Sequence, residues 1–248
     1  ILTGFNYIYN KDYEIAELPF LTTGIFKEVD LKSISSEQIF KTLLSSGTTG
    51  SMQSKIYLDK KNSESQRLVL SKIVSHFIGK NRLPMLIVNK NLKFEKNKFD
   101  AKSAAIRGFS IFGKDHHYLL NPNNQVNEEV LYDFLKKYGK KNFLIFGFTS
   151  DVYSAFFENL NLKKNIDLTN GKLIHGGGWK KLENKKISNY QYKKIFLNKY
   201  KLKEIINYYG LVEQVGSIFF ECPKCNVFMC SNFSDVIIRD KNFNQIEN

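Results

Sequence analysis

A short segment rich in glycine and hydroxyl side chains carries the strongest chemical signal in the sequence. It reads Leu-Ser-Ser-Gly-Thr-Thr-Gly-Ser over residues 44–51, and Lys55 follows it. Glycines let the backbone turn tightly, while backbone amides and hydroxyl groups donate hydrogen bonds to phosphate oxygens. The pattern differs from a P-loop, in which Lys-Ser or Lys-Thr follows the second glycine. It therefore predicts either a phosphate-binding loop of another kind or a flexible surface loop.

A second candidate segment is built around three consecutive glycines at 176–178. His175 precedes them, and Trp179 and Lys180 follow them. An imidazole can orient a substrate or act on its carboxylate, and a lysine can offset negative charge in a transition state. A histidine in a loop or in the core is the structural alternative, and the pattern leaves both interpretations open.

The three cysteines, Cys222, Cys225 and Cys230, form a third candidate group. The first two have the spacing of a zinc knuckle, and thiolates are good zinc ligands. A closed structural zinc site needs four ligands, however, and only three are visible. Reduced structural cysteines and acyl acceptance by one thiol are the alternatives to zinc binding.

The elements that must position these residues alternate between strand and helix. Helical spacing of apolar residues predicts helices over residues 63–78 and 127–138. Short apolar runs bounded by turn residues predict strands at 55–58, 85–88, 104–109, 143–148, 172–175, 205–208, 216–220 and 236–239. This order predicts an α/β domain with a substantially parallel sheet, in which ligands bind beyond the carboxyl ends of the strands.

Composition limits the class of protein. A chain of 248 residues with 42% hydrophobic content can form one large domain or two joined lobes, and residues 119–127 are the best place for a boundary between lobes. The formal charge of +13 is spread along the chain, which favours solvated faces over a nucleic-acid partner. The sequence has no long apolar run, so we expect no membrane span. It shows no signal sequence, so we expect a cytoplasmic location. A start without Met suggests a trimmed chain.

The motifs occur in an order that resembles the adenylate-forming superfamily of acyl-CoA synthetases, peptide-synthetase adenylation domains and firefly luciferase. Ser-Ser-Gly-Thr-Thr-Gly comes first, and Tyr-Tyr-Gly-Leu-Val-Glu-Gln follows at 208–214. The sequence is closer still to the LuxE-type acyl-protein synthetases, and the resemblance covers about residues 38–240. It is carried by the segments at 82–88, 104–113, 175–182, 209–216 and 234–240.

The resemblance implies a role for most of the candidate residues. Tyr209 would stack on adenine beside Gly210, and Glu213 would hold Mg²⁺ against the phosphates, as suits a hard cation. The adenine pocket would be lined by Gly176, Gly177, Gly178 and Trp179. The ATP phosphates would be held by Ser45, Ser46, Gly47, Thr48, Thr49, Gly50 and Lys55. Without the resemblance, Tyr209 would be interpreted as a strand-end aromatic residue and Glu213 as a surface charge.

Two departures from the superfamily pattern stand out. Val212 replaces the threonine that usually precedes the glutamate, so one hydroxyl donor is lost. A downstream aspartate for the ribose and a late lysine in a mobile C-terminal region have no counterpart before Asn248. We therefore expect residues 1–248 to be the large adenylate-forming domain, with the smaller C-terminal domain absent from this chain.

The function implied by the resemblance is ATP-dependent activation of a carboxylic acid, in this family a long-chain fatty acid. The acyl-adenylate would pass its acyl group to a protein thiol, and an acyl-reductase would be the partner protein. ATP and Mg²⁺ are the expected cofactors, with zinc as a third. Two rivals remain open: an aryl- or acyl-CoA ligase of the phenylacetate type, and a basic binding module without catalysis.

Overall fold

A computed structural model of the protein describes residues 14–45, 52–91, 101–160 and 165–246. Two sheets are present in these ranges. A hairpin of β1 (Lys41–Leu44) and β2 (Lys55–Leu58) forms the smaller, antiparallel sheet. The larger sheet has seven strands: β3 (Leu83–Val88), β4 (Gly113–Tyr118), β5 (Phe143–Phe148), β6 (Gly171–Gly176), β7 (Glu204–Tyr209), β8 (Phe219–Glu221) and β9 (Phe228–Met229).

The order of strands in the large sheet is β4-β3-β5-β6-β7-β8-β9. The first five strands of this order are parallel, and β8 and β9 add antiparallel strands at one edge. Because parallel strands end at the same side of a sheet, β3, β5, β6 and β7 present their carboxyl ends along one line. This arrangement confirms the predicted α/β class with a mostly parallel sheet.

Helices cover both faces of the large sheet. The long ones begin after polar capping residues: Asp59 accepts a hydrogen bond from the Asn62 amide, and Ser188 forms a capping box with Gln191. The helices are α1 (Ile25–Glu28), α2 (Lys60–Ile78), α3 (Ala101–Ser110), α4 (Glu128–Tyr138), α5 (Thr149–Tyr153), which continues as a π-helical segment at Ser154–Asn159, and α6 (Asn189–Tyr200). Short 3-10 turns lie at Ile15–Glu17, Ser36–Gln38 and Lys180–Lys185.

Two hydrophobic clusters, one on each face, hold these layers together. In β3, Leu86 and Val88 point into the cluster that contains residues of α4 and α6, whereas Met85 and Ile87 point into the cluster that contains residues of α2 and α3. Strands that are buried on both faces consist of continuous apolar residues, which explains the runs found in β3, β5 and β6. The core thus fixes the carboxyl ends of these strands.

Three of the strand predictions need correction. Residues 104–109 belong to the helix α3, because Ser103, Ile106 and Phe109 are buried at a spacing of three and lie on one helical face. Residues 236–239 form no strand and contribute one bridge, between Arg239 and Gln245. The run predicted at 216–220 is a strand only over β8.

The predicted boundary at residues 119–127 lies between β4 and α4. Across it, β3 pairs with β5, and one hydrophobic cluster contains Leu119 from one side and Leu131 from the other. A division into two lobes stays a prediction. Across the described ranges, every helix is too short or too polar to cross a membrane.

Candidate functional site at the carboxyl edge of the sheet

The glycine run and the Tyr-Gly-x-x-Glu segment are neighbours in the structure. Gly176 ends β6, and its partner in register on β7 is Tyr208, next to Tyr209 at the end of that strand. On the other side of β6, Gly176 pairs with Phe148, the last residue of β5. Two segments about 30 residues apart therefore meet at one point on the sheet edge, where a parallel α/β sheet binds its ligands.

The three glycines differ in their surroundings and in their backbone conformation. A Cβ on Gly176 would lie 2.5 Å from the Tyr208 carbonyl oxygen, so close packing of β6 against β7 requires glycine there. Gly177 has φ +80°, a conformation that side chains with a Cβ rarely adopt. Gly178 is exposed, and nothing lies within 4 Å of a Cβ built on it. Room for a ligand beside the backbone is therefore found at Gly178 and not at Gly176.

The Tyr-Gly-x-x-Glu segment continues from β7 into a turn. Tyr209 is 48% exposed, and its ring centroid lies 6.3 Å from that of Phe219 and 6.1 Å from that of Phe228. Gly210 is exposed, and Glu213 is half-buried on the turn that follows. Among the described residues, the Glu213 carboxylate has no hydrogen-bond or ion-pair partner. An exposed aromatic face therefore lies on the strand next to the glycine run, and a carboxylate without a partner among the described residues follows four residues later.

His175 lies under this edge and is only 2% exposed. Its Nδ1 atom is 3.0 Å from the Thr149 hydroxyl oxygen, and its ring stacks on Tyr192 with centroids 4.7 Å apart. Burial, helped by the positive charge of Lys193, lowers the pKa of His175 to about 3. The imidazole is therefore neutral at physiological pH, and this burial weakens the prediction that it contacts substrate directly.

The two residues after the glycines differ from what their motif suggests. Trp179 is 9% exposed and contacts the rings of Tyr153 and Tyr192 at 4.9 and 6.3 Å, so it anchors the loop to the core. Contact between this indole and a nucleotide stays a prediction. The Lys180 side chain lies outside the described residues.

The phosphate-loop prediction is described only at its ends. Ser46, Gly47, Thr48, Thr49 and Gly50 lie outside the described residues. Ser45 pairs with Ser54 at the loop end of the β1–β2 pair: its amide donates to the Ser54 carbonyl at 3.0 Å, and its hydroxyl accepts from the Ser54 amide at 2.9 Å. Lys55 is exposed and forms an ion pair with Asp30 at 3.3 Å. The Lys55 ammonium group is therefore paired with Asp30, and its contact with a phosphate stays a prediction.

The three cysteines do not gather into a metal site. Cys222 and Cys225 lie in the turn between β8 and β9, where the Cys225 amide donates to the Cys222 sulfur at 3.5 Å. Hydrogen bonds from the Cys225 side chain and from the backbone of the turn hold the pKa of Cys222 below its usual value. Cys230 follows the far end of β9, about 10 Å along the strand from the turn. Within the described ranges, no cluster of three metal-ligating side chains forms, so the residues do not fit the predicted zinc site.

Thr149, Tyr192 and an ion pair with a buried carboxylate were not predicted from the sequence. Glu221 is 3% exposed; it accepts hydrogen bonds from the Asn189 side chain and the Asn207 amide, and its carboxylate lies 3.0 Å from the Lys193 ammonium. Only Thr149 carried a usable signal, since it directly follows the predicted strand at 143–148 and so lies at a carboxyl end. The others come from α6 and β8, and their spacing gives no indication of the site.

Comparison with known proteins defines the family of the chain. The model of the family described as acyl-protein synthetase, LuxE, matches residues 7–247, and the chain belongs to this family. No curated protein matches the sequence.

Three solved structures resemble the chain at low sequence identity, and the first of them shows the shared fold. The amide bond synthetase McbA from Marinactinospora thermotolerans is 13% identical with a TM-score of 0.56, over 86% of this chain and 39% of that one. A 2-hydroxyisobutyryl-CoA ligase in complex with 2-HIB-AMP and CoA is 12% identical with a TM-score of 0.49, over 79% of this chain and 42% of that one. ATP-bound MatB from Rhodopseudomonas palustris is 12% identical with a TM-score of 0.46, over 79% of this chain and 42% of that one. The chain thus spans about two fifths of each of these structures.

Proposed function

We propose that the protein uses ATP to activate a carboxylic acid as an acyl-adenylate. One observation carries this proposal: Gly176, the first residue of the glycine run, pairs with Tyr208, so the glycine run and the Tyr209–Glu213 segment both begin at the carboxyl ends of β6 and β7. Membership of the acyl-protein synthetase family supports it, because a synthetase of this kind must first make the acyl group reactive. The second rival, a binding module without catalysis, gives no reason for these two segments to meet.

In this proposal ATP lies across the edge with adenine between Tyr209 and Gly178. The half-exposed Tyr209 ring offers a face for stacking, and Gly178 leaves space for the base to approach the backbone. Gly177 lets the loop turn, and Gly210 keeps the segment after Tyr209 free of a side chain. The hydroxyl-rich segment from Ser45 to Gly50, together with Lys55, is proposed to hold the phosphates.

Glu213 fits a magnesium ligand. Its carboxylate has no partner among the described residues, and a hard cation prefers one or two carboxylates together with phosphate oxygens. When bound, Mg²⁺ would neutralise charge on the phosphates as pyrophosphate departs. By holding that ion, Glu213 would help to orient the triphosphate toward the incoming carboxylate, and orientation of this kind supplies much of a rate enhancement.

The first reaction joins a carboxylate oxygen to the α-phosphorus of ATP. The bond from that phosphorus to the β-phosphate oxygen breaks, and pyrophosphate leaves with the electron pair. In the second reaction a protein thiolate attacks the acyl carbon, and AMP leaves. We propose a long-chain fatty acid as the substrate and an acyl-reductase as the partner protein, because the LuxE family implies them. We also propose the cytoplasm as the location.

Carboxylate-dependent exchange of labelled pyrophosphate into ATP tests the first reaction. The assay compares a panel of fatty and aryl acids with the wild type, Glu213→Ala and, as a matched surface control, Glu129→Ala on α4. We expect exchange with fatty acids in the wild type and the control, and a loss on the order of 100-fold in Glu213→Ala. Equal exchange in all three proteins would remove Glu213 from the mechanism, and a wild type inactive with every acid would refute the proposed function.

A further inference from the structure

The ring of His175 is held on two sides by residues of two different helices. Thr149, the first residue of α5, meets its Nδ1 atom at 3.0 Å, and Tyr192 of α6 stacks on its face. All three side chains are buried. The position of the imidazole is therefore fixed both along the sheet and perpendicular to it.

The contact with Thr149 joins the ends of two strands. His175 is the residue before Gly176 at the end of β6, and Thr149 is the residue after Phe148 at the end of β5. Backbone pairing of the two strands ends at Phe148 and Gly176. Beyond that pair, the side chains of His175 and Thr149 continue the connection between the two strand ends through their hydrogen bond.

The link acts on the glycine loop directly. Gly177 has φ +80°, and a Cβ placed on it would lie 3.1 Å from the Phe148 ring, so the loop turns over the end of β5. Three successive glycines have little intrinsic preference for one conformation. Their geometry must therefore come from their anchors, which are Trp179 on one side and His175 on the other.

The other ring nitrogen of His175, Nε2, indicates that this position requires more than a side chain that fills space. Nε2 is buried and has no hydrogen-bond partner among the described residues, and neither has the Tyr192 hydroxyl. A leucine would fill a purely apolar site without leaving a polar atom unpaired. The polar contact made by Nδ1 is thus the part of the side chain with a structural purpose.

We propose that His175 is a positioning residue, which holds the Gly176–Gly178 loop in its nucleotide-binding geometry through the hydrogen bond to Thr149. The inference rests on the proposed function, since it concerns the same nucleotide site. His175 acts through the loop and does not touch the reacting atoms.

The test separates the two ring nitrogens and the two partners. In His175→Asn an amide group replaces Nδ1, whereas in His175→Gln it reaches the place of Nε2. Thr149→Ser retains the hydroxyl that Thr149→Val removes at nearly constant volume. Pyrophosphate exchange gives kcat and the KM for ATP for each variant, and the thermal midpoint of each protein reports its stability.

We expect Thr149→Val and His175→Gln to lose on the order of 10- to 100-fold in kcat/KM for ATP, because small displacements of a binding group are costly. Thr149→Ser and His175→Asn should recover most of that loss. The double variant Thr149→Val/His175→Gln should be no worse than either single one, since both break the same bond.

Two results would overturn the inference while leaving the proposed function intact. One is an active wild type with equal kcat/KM in His175→Asn and His175→Gln, a comparison that holds even if Thr149→Val does not fold. The other is variants that differ in thermal midpoint and share one KM for ATP, as a merely structural role requires. A wild type without exchange or ATP binding would refute the inference together with the proposed function.

Discussion

Gly176 and Tyr208 lie in register on neighbouring parallel strands, so close together that a Cβ on Gly176 would meet the Tyr208 backbone at 2.5 Å and its ring at 2.6 Å. This contact sets the distance between the glycine loop and the Tyr209–Glu213 segment. The nucleotide site proposed here depends on that distance, so the two strands cannot separate without changing the site.

Gly176→Ala should therefore destabilise the protein, while Gly178→Ala should not. The added methyl group at Gly176 must displace backbone atoms, at a cost of about 1–3 kcal/mol in the free energy of unfolding. Gly178 has open space around it, and an effect below about 0.5 kcal/mol is expected. Urea denaturation of both variants measures the difference. Equal stability of the two would show that β6 and β7 are less closely packed than in the structure.

The buried His175 predicts a loss of stability in mild acid. Its pKa falls from 6.5 to about 3 on folding, so below pH 6.5 the unfolded chain takes up a proton that the folded protein does not. The contribution of the neutral His175 to the free energy of unfolding is fully present above pH 6.5. Below that pH the free energy of unfolding falls by about 1.4 kcal/mol per pH unit toward pH 3, so the total loss at pH 5 is about 2 kcal/mol. Lys193 is the charged group that acts on the ring, and it is itself paired with Glu221.

Urea unfolding at pH 7, 6 and 5 measures this dependence. His175→Asn, which does not titrate, should show a shallower decline than the wild type by about one proton per molecule. Parallel pH profiles of the two proteins would contradict the burial of a neutral imidazole.

Loss of one partner of the Lys193–Glu221 pair should lower the free energy of unfolding more than loss of both partners. Glu221 is 3% exposed, and removal of the lysine leaves its carboxylate with the Asn189 and Asn207 donors alone. Lys193→Met should cost about 3 kcal/mol of unfolding free energy, because an unpaired buried charge is expensive. The double variant Lys193→Met/Glu221→Gln should recover most of this loss. A double variant as unstable as the sum of both single ones would show that the two side chains act independently.

Tyr209 should bind the nucleotide through its ring and not through its hydroxyl. Stacking of a base on an aromatic side chain contributes about 1–3 kcal/mol, so Tyr209→Ala should raise the KM for ATP on the order of 10- to 100-fold. Tyr209→Phe should stay close to the wild type. Because the side chain is half-exposed, both variants should retain their thermal midpoints. A KM for ATP that is the same in Tyr209→Ala as in the wild type would move adenine away from this ring.

The sequence predicted the strands of the sheet interior well, for a physical reason. A strand buried on both faces must be apolar throughout, so β3, β5 and β6 stand out as short hydrophobic runs. The edge strand β4, which contains Lys114, Asp115 and two histidines, has no such run and was missed. In α3, Ala104, Ala105 and Ile106 imitate an apolar strand, and only the burial of Ile106 and Phe109 shows the helical spacing.

The candidate site was predictable only as far as it is continuous in sequence. The glycine run and the Tyr-Gly-x-x-Glu segment are local patterns, and in the structure they follow two neighbouring parallel strands. The pairing of Lys55 with Asp30, the burial of Trp179 and the separation of Cys230 from Cys222 are consequences of packing. Spacing along the chain contains no information about them.

Transfer of ¹⁸O from the acid to AMP is the most direct test of the central claim. The protein is incubated with a fatty acid labelled in both carboxylate oxygens, ATP and Mg²⁺, with hydroxylamine present to trap the activated acyl group, and AMP is analysed by mass spectrometry. Attack of the carboxylate on the α-phosphorus predicts AMP that carries one ¹⁸O atom and a hydroxamate that retains the other. Label in inorganic phosphate with formation of ADP, or AMP without label, would contradict acyl-adenylate formation.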